Sequence, residues 1–160
     1  MPQTTLRRAT AQDAETLVRI QTAAFLYDSV MYPHIPPGGP DGYDSVEAVR
    51  EEIEDYHAYV IEADGVPVGG AVVFVRPNGH NHLHRIYIDP EQHGYGIGTQ
   101  AMRLLDEVLP APYWTLDTPD WAIRNQHFYE KLGYVLTGET SPVDDWYLLA
   151  YQRGTPAENT

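Results

Sequence analysis

The sequence predicts an α/β fold built on a central mixed sheet. Three observations carry that prediction. Runs of apolar and β-branched residues bounded by turn residues mark seven strands, and a 3.6-residue apolar period marks four helices. The two kinds of segment follow one another as β-α-α-β-β-β-α-β-α-β-β, which interleaves helices with strands rather than segregating them. Between the fourth strand and the third helix lies a glycine-rich turn, Gly94-Tyr95-Gly96-Ile97-Gly98.

Taken in order, Thr5 to Ala9 is the first strand, and Thr10-Ala11-Gln12-Asp13 has the form of a capping box. Ala14, Leu17, Val18, Gln21, Ala24 and Phe25 then keep a helical period. Tyr32 to Tyr43 holds Pro33, Pro36, Pro37, Pro40 and Gly38-Gly39, so it is a long loop, a type of segment that often carries function. Asp44-Ser45-Val46-Glu47 opens the second helix, with Val46, Val49, Ile53 and Tyr56 inward. Ala58–Ala63, Asp64-Gly65 and Val66–Val75 form a hairpin, with Gly69-Gly70 marking a bulge. Asn81–Ile88 is the strand before the glycine turn, and the helix after it stops at Pro110. Tyr113–Asp117 is a strand, Trp121–Leu132 a helix closed by Gly133, and Tyr134–Glu139 with Trp146–Tyr151 a closing pair. Gly154–Thr160 is a frayed tail, and residues 5–153 form the ordered core of a single domain spanning 1–160.

Composition narrows the function. A length of 160 residues with 42% hydrophobic content suits one globular domain with a real core. No apolar run reaches the length of a membrane span, and a secretory leader is not recognisable, so a cytoplasmic protein with no membrane partner is expected. The chain has no cysteine, which removes disulfides, thiolate metal sites and a cysteine nucleophile. A net charge of −13 argues against a nucleic-acid partner, whose phosphates call for Lys and Arg. The acidity either serves solubility alone or attracts a cationic substrate. Arg85, Arg103, Arg124 and Lys131 lie in the half of the chain that holds the glycine turn.

Glycines at a helix start let backbone N–H groups approach an anion, and the helix dipole favours negative charge there. The turn therefore reads as a phosphate or pyrophosphate cradle. It is not a P-loop, because Gly98 is followed by Thr99-Gln100 rather than Lys-Ser/Thr, and its G-x-G-x-G spacing is not the dinucleotide fingerprint. The segment His93-Gly94-Tyr95-Gly96-Ile97-Gly98 resembles the acyl-CoA loop of the GNAT superfamily of N-acetyltransferases, whose pattern is Arg/Gln-x-x-Gly-x-Gly/Ala; His93 stands where the family usually has Arg or Gln. Phe128-Tyr129-Glu130-Lys131-Leu132-Gly133-Tyr134 resembles a second family mark, F-Y-x-x-x-G-F/Y. The resemblance runs from about Thr5 to Arg153 and implies a central mixed, mostly antiparallel sheet flanked by helices on both faces.

The resemblance also implies a reaction, transfer of an acetyl group from acetyl-CoA, used as co-substrate without a metal, to a primary amine of a small molecule or peptide. The absence of cysteine requires the amine to attack the thioester directly. By resemblance the backbone of His93, Gly94, Tyr95, Gly96, Ile97, Gly98 and Thr99 holds the pyrophosphate. The N–H and C=O groups of Ile86, Tyr87 and Ile88 stay free for the pantetheine arm. Tyr129 acts as general acid toward the departing thiolate, and Asn125, one helical turn earlier, bonds the cofactor arm. An amine of pKa ~10.4 is only about one part in 2,500 free base at pH 7, so a base is needed. His80, His82 and His84 alternate on one strand and share one face; family bases sit on this strand, and His84 or His82 is the candidate. Two other readings remain: His80 and His82 as exposed histidines of the Asn78-Gly79-His80-Asn81 turn, or the triplet as a metal site, although i, i+2 and i+4 on a strand span roughly 13 Å. Trp114, Trp121 and Trp146 are either core or an aromatic cage for a cation. Beside the enzyme stands the alternative of a CoA-binding sensor or interaction module without turnover, and a homodimer is an allowed assembly. The acceptor is not readable from the residues.

Overall fold

The computed structural model describes residues 2–156. The element order is the expected one with an added short helix, α2, that the sequence pattern did not mark: β1 (Thr4–Arg8), α1 (Ala14–Leu26), α2 (Asp28–Met31), α3 (Val46–Asp55), β2 (His57–Ala63), β3 (Val66–Arg76), β4 (His80–Ile88), α4 (Ile97–Val108), β5 (Tyr113–Pro119), α5 (Ile123–Lys131), β6 (Val135–Val143) and β7 (Trp146–Gly154). The seven strands form one hydrogen-bonded sheet in the order β1-β2-β3-β4-β5-β7-β6. The pairs β1/β2, β2/β3, β5/β7 and β6/β7 are antiparallel, and β4/β5 is parallel. Parallel neighbours need a long crossover, and α4 is the connection that allows it. This is a mixed, mostly antiparallel sheet accompanied by helices.

The contacts group the chain into two compact units. The first takes the chain as far as Val73 together with Arg85–Pro110. Its first helix starts where expected: the Thr10 N–H donates to the Asp13 carboxylate at 2.8 Å, and Arg7 donates to both oxygens of the same group at 2.9 and 3.0 Å. Ser45 caps α3 by accepting from the Ala48 N–H at 3.2 Å. The apolar period of α1 and the apolar runs of β2 and β3 supply the core: Leu17, Ile20, Val60, Ile61 and Val73 are each at most 2% exposed. The hairpin turn is left-handed at both Asp64 (φ 51) and Gly65 (φ 82), the type that fits strand twist.

Gly69-Gly70 is not the bulge. The register slips where Ile61 pairs Gly69 and Glu62 pairs Pro67, so the unpaired residue is Val68, whose carbonyl accepts from the Asp89 N–H at 2.7 Å. The two glycines serve close approach instead. A Cβ on Gly69 would run into the Tyr87 carbonyl, and one on Gly70 into the Tyr87 hydroxyl.

The second unit takes Phe74–His84 and the chain from Ala111 on. Asn78 (φ 62) and Gly79 (φ 70) turn the chain tightly from β3 to β4. The β4/β5 ladder covers His80–Leu83 against Tyr113–Leu116. Leu83, Trp114, Leu116, Tyr134 and Tyr151 form the core, each 3% exposed or less. α5 starts at Ile123 rather than Trp121, and Gly133 (φ 92) ends it as expected. β6 and β7 run longer than expected, to Val143 and Gly154. β7 therefore includes Gly154, the predicted start of the tail; Ala157–Thr160 lie outside the described residues.

Candidate active site

The two faces of β4 differ. Asn81, Leu83, Arg85 and Tyr87 are buried, while His80, His82, His84, Ile86 and Ile88 alternate with them on the other face at intermediate or full exposure. The three histidines thus share a face as the pattern predicts, and all three stand in the strand rather than the preceding turn. Arg85 departs from the expected cationic surround of the glycine turn. It points inward, 8% exposed, with its guanidinium 3.3 Å from the Gln21 amide oxygen and 3.4 Å from the Glu52 carboxylate. Gln21 in turn donates to the Tyr43 carbonyl at 2.8 Å, which ties the end of the Tyr32–Tyr43 loop to α1.

In the first unit β4 runs through Asp89, whose carboxylate accepts from the Glu91 N–H at 3.0 Å, into one turn of 3₁₀ helix, Pro90–Gln92. The glycine turn follows. Gly94 (φ 87) and Gly96 (φ 76) are both left-handed, and Gly96 is the N-cap of α4. A side chain rarely takes that conformation, so the glycines are needed twice over, for backbone angle and for open access. His93, Gly94, Tyr95 and Gly96 are exposed, Gly98 and Thr99 half-buried, and Ile97 anchors the helix at 1% exposed. The first-turn N–H groups of a helix have no partner within it, and the first turn of α4 carries no acidic residue. The cradle is thus an open helix N-terminus of positive potential.

One expectation needs correction. The Ile88 carbonyl is not free: it lies 3.1 Å from His93 Nε2, which donates to it in the matching tautomer. The oxygen keeps one lone pair. The imidazole that replaces the usual Arg or Gln thus bonds back to β4, and its ring meets Tyr27 edge-on at 5.7 Å.

In the second unit the histidine face is built by three strands. His84 is exposed and stacks on Phe74 with ring centroids 4.4 Å apart; His82 stacks on the same ring at 6.0 Å. His82 Nδ1 and His80 Nε2 both lie 2.7 Å from the Thr115 hydroxyl. His82 Nε2 lies 3.9 Å from the Asp117 carboxylate, beyond hydrogen-bond reach. Burial, with Arg76 and the neighbouring histidines adding to it, pushes the His82 imidazole down to about 4, so it is neutral at pH 7. His80 is also lowered, by burial and Arg76, and the Asp117 carboxyl is raised, chiefly by burial. Thr115 and Asp117 escaped sequence reasoning. Their proximity to His82 follows from the parallel register that pairs His82 with Thr115, and no local pattern encodes that register.

Tyr129 lies in α5 at 8% exposed, its ring edge-on to Phe128 at 5.3 Å and to Tyr134 at 6.0 Å. Burial, with Tyr134 beside it, raises its phenol above the usual value and keeps it protonated. Asn125 is exposed one turn earlier on the same helix. Trp114 is core at 2% exposed, with the Arg153 guanidinium 5.9 Å over its ring, and Trp121 meets Trp146 edge-on at 5.7 Å. Among the described residues no group of three or more His, Asp or Glu side chains is placed to hold a metal ion. No helix among them is long and apolar enough to cross a membrane.

Comparison with known proteins adds three kinds of finding. A family model described as the acetyltransferase (GNAT) family matches residues 23–134, well over half of the chain. Among curated proteins of Bacillus subtilis, the chain is 39% identical over 79 residues to the uncharacterized protein YrkN, covering 48% of this chain and 43% of that one, less than half its length. It is 29% identical over 149 residues to S-(2-succino)cysteine N-acetyltransferase, covering 83% of this chain and 85% of that one. Among solved structures, a GNAT-family acetyltransferase from Streptococcus agalactiae superposes with a TM-score of 0.79 at 22% identity, covering 97% of this chain and 98% of that one. The PaiA N-acetyltransferase of Thermoplasma acidophilum, in complex with coenzyme A, superposes with a TM-score of 0.74 at 18% identity, covering 96% and 99%. At these identities the two structures establish likeness of fold.

Proposed function

This chain belongs to the acetyltransferase (GNAT) family, and from that premise we propose that it moves an acetyl group from acetyl-CoA directly to the primary amine of a small molecule or peptide. The observation that carries the reading is the start of α4. Two left-handed glycines leave exposed backbone amides at a helix N-terminus directly after a strand whose outer face bears histidines. A relative that is 29% identical is named as acting on S-(2-succino)cysteine, which makes amino-acid α-amines the first acceptor class to test.

In this reading the amides of Gly94 to Thr99 hold the pyrophosphate of CoA, and Ile86, Tyr87 and Ile88 offer backbone groups to its pantetheine arm. His82 takes the proton that the attacking ammonium must lose, and its neighbour His84 is the second candidate on the same face. Tyr129, kept protonated by burial, supplies a proton to the departing thiolate. Asn125 bonds the arm.

Calorimetry with CoA tests the premise of binding. At 100 times its dissociation constant CoA should stabilise the fold by about 2.7 kcal/mol. Gly96→Val should abolish that gain, because a branched residue resists the left-handed conformation and its side chain would stand where the phosphates meet the backbone. Acetylated products in an amine panel read by mass spectrometry would establish turnover; CoA binding with no product from any amine would leave a binding module instead.

A further inference from the structure

The outer face of β4 presents more than a base. Its first two histidines, His80 and His82, converge on one hydroxyl, and a hydroxyl can accept one hydrogen bond while donating another. We propose that Thr115 is a positioning residue for the base: its oxygen accepts from the Nδ1–H of His82 and its own hydrogen is donated to His80 Nε2, so that the lone pair of His82 is held on Nε2. This deepens the acetyltransferase reading and rests on it.

The geometry allows this polarity. Both ring nitrogens sit 2.7 Å from the Thr115 oxygen, the distance of a good hydrogen bond. Nε2 of His82, the nitrogen on the other side of the ring, has Asp117 at 3.9 Å, too far to take its hydrogen. The ring is fixed by stacking on Phe74, and its side chain is 14% exposed. The groups that face it are Arg76 of β3, His80 and His84 of β4, and Thr115 and Asp117 of β5, with Glu139 of β6 beside Asp117.

The chain of bonds also gives the proton an exit. When Nε2 accepts the amine proton, Nδ1 gives up its own to the Thr115 oxygen, and the Thr115 hydroxyl proton passes to His80 Nε2. His82 ends neutral with its hydrogen on Nε2, Thr115 remains a hydroxyl, and His80 becomes the imidazolium, which releases its proton to solvent. A ring as weakly basic as His82 holds a proton poorly; His80 lies at the start of the strand against Tyr113 (ring centroids 4.7 Å apart), its own proton affinity lowered by burial and Arg76.

Two measurements decide the matter. Nitrogen-15 spectra of the histidine rings at neutral pH should show His82 as the Nδ1–H tautomer in the wild type and in Thr115→Ser, and a shift to Nε2–H in Thr115→Val. Turnover of Thr115→Val should fall roughly tenfold, with an altered pH–rate profile and unchanged KM for acetyl-CoA, and Thr115→Ser should restore the wild-type profile. His82 found as Nε2–H in the wild type overturns the proposal, as does a Thr115→Val enzyme with the wild-type tautomer and pH profile. The spectra need no turnover. Absence of acetyl transfer in the wild type would therefore sink the function while leaving the tautomer assignment to be decided separately.

Discussion

Tyr129 separates a chemical role from a packing role more cleanly than any other residue. Its ring contacts Phe128 and Tyr134, and Phe retains those contacts. Tyr129→Phe should therefore leave the melting temperature and CoA binding nearly unchanged, while turnover falls ~10²-fold with little change in KM for acetyl-CoA. Near-normal kinetics would reduce Tyr129 to core packing. His82 makes a second prediction, through stability. Its pKa is about 4 in the folded protein and 6.5 when unperturbed, so as pH falls below about 6.5 the unfolded chain binds a proton that the folded chain refuses. The stabilising contribution of the neutral ring is complete above that range and is lost as pH falls toward 4. The melting temperature of the wild type should accordingly drop more steeply between pH 7 and 4 than that of His82→Gln; parallel curves would show that the ring is not desolvated. Both residues were readable as candidates on a strand and a helix. What was not readable is the value near 4, because it depends on burial and on Arg76 of another strand.

At the scale of elements, local pattern and long-range contact divide sharply. The 3.6-residue period of α4, the turn pair Asp64-Gly65 and the closing Gly133 are local signals, and each element stands where its signal puts it. Gly69-Gly70 shows the opposite case. A glycine pair in a strand reads as a bulge, but the slip falls at Val68 and the glycines make room for Tyr87, a residue 17 positions from Gly70 in the sequence. The consequence is testable. Gly70→Ala places a methyl against the buried Tyr87 hydroxyl, and overpacking of that kind costs about 1–3 kcal/mol. Chemical denaturation should show that loss, whereas a substitution made to relieve a mere bulge would leave the midpoint unchanged.

For the whole molecule the dominant quantity is a net charge of −13. A charge of that size either serves solubility alone or draws cations toward the protein, an attraction screened by salt over about 10 Å at 0.1 M. If the field steers the acceptor, kcat/KM for a doubly charged diamine should fall as ionic strength rises from about 0.01 to 0.15 M, while that for a zwitterionic amino acid changes little. Equal salt dependence for the two would assign the acidity to solubility alone.

The seven strands, the four longer helices, the glycine turn at the start of α4 and the histidine face could be read from the chain because each rests on neighbours in sequence: a strand period of two, a helix period of 3.6, and a backbone angle that glycine accepts. Pairing is another matter. The parallel register that sets Thr115 beside His82, the turn of His93 back onto the Ile88 carbonyl, the inward placement of Arg85 onto Glu52 and the approach of Tyr87 to Gly70 all join residues whose separation along the chain carries no local signal. Those contacts follow from how strands and helices bury their apolar faces together, and with them come the shifted proton affinities of His82 and Asp117.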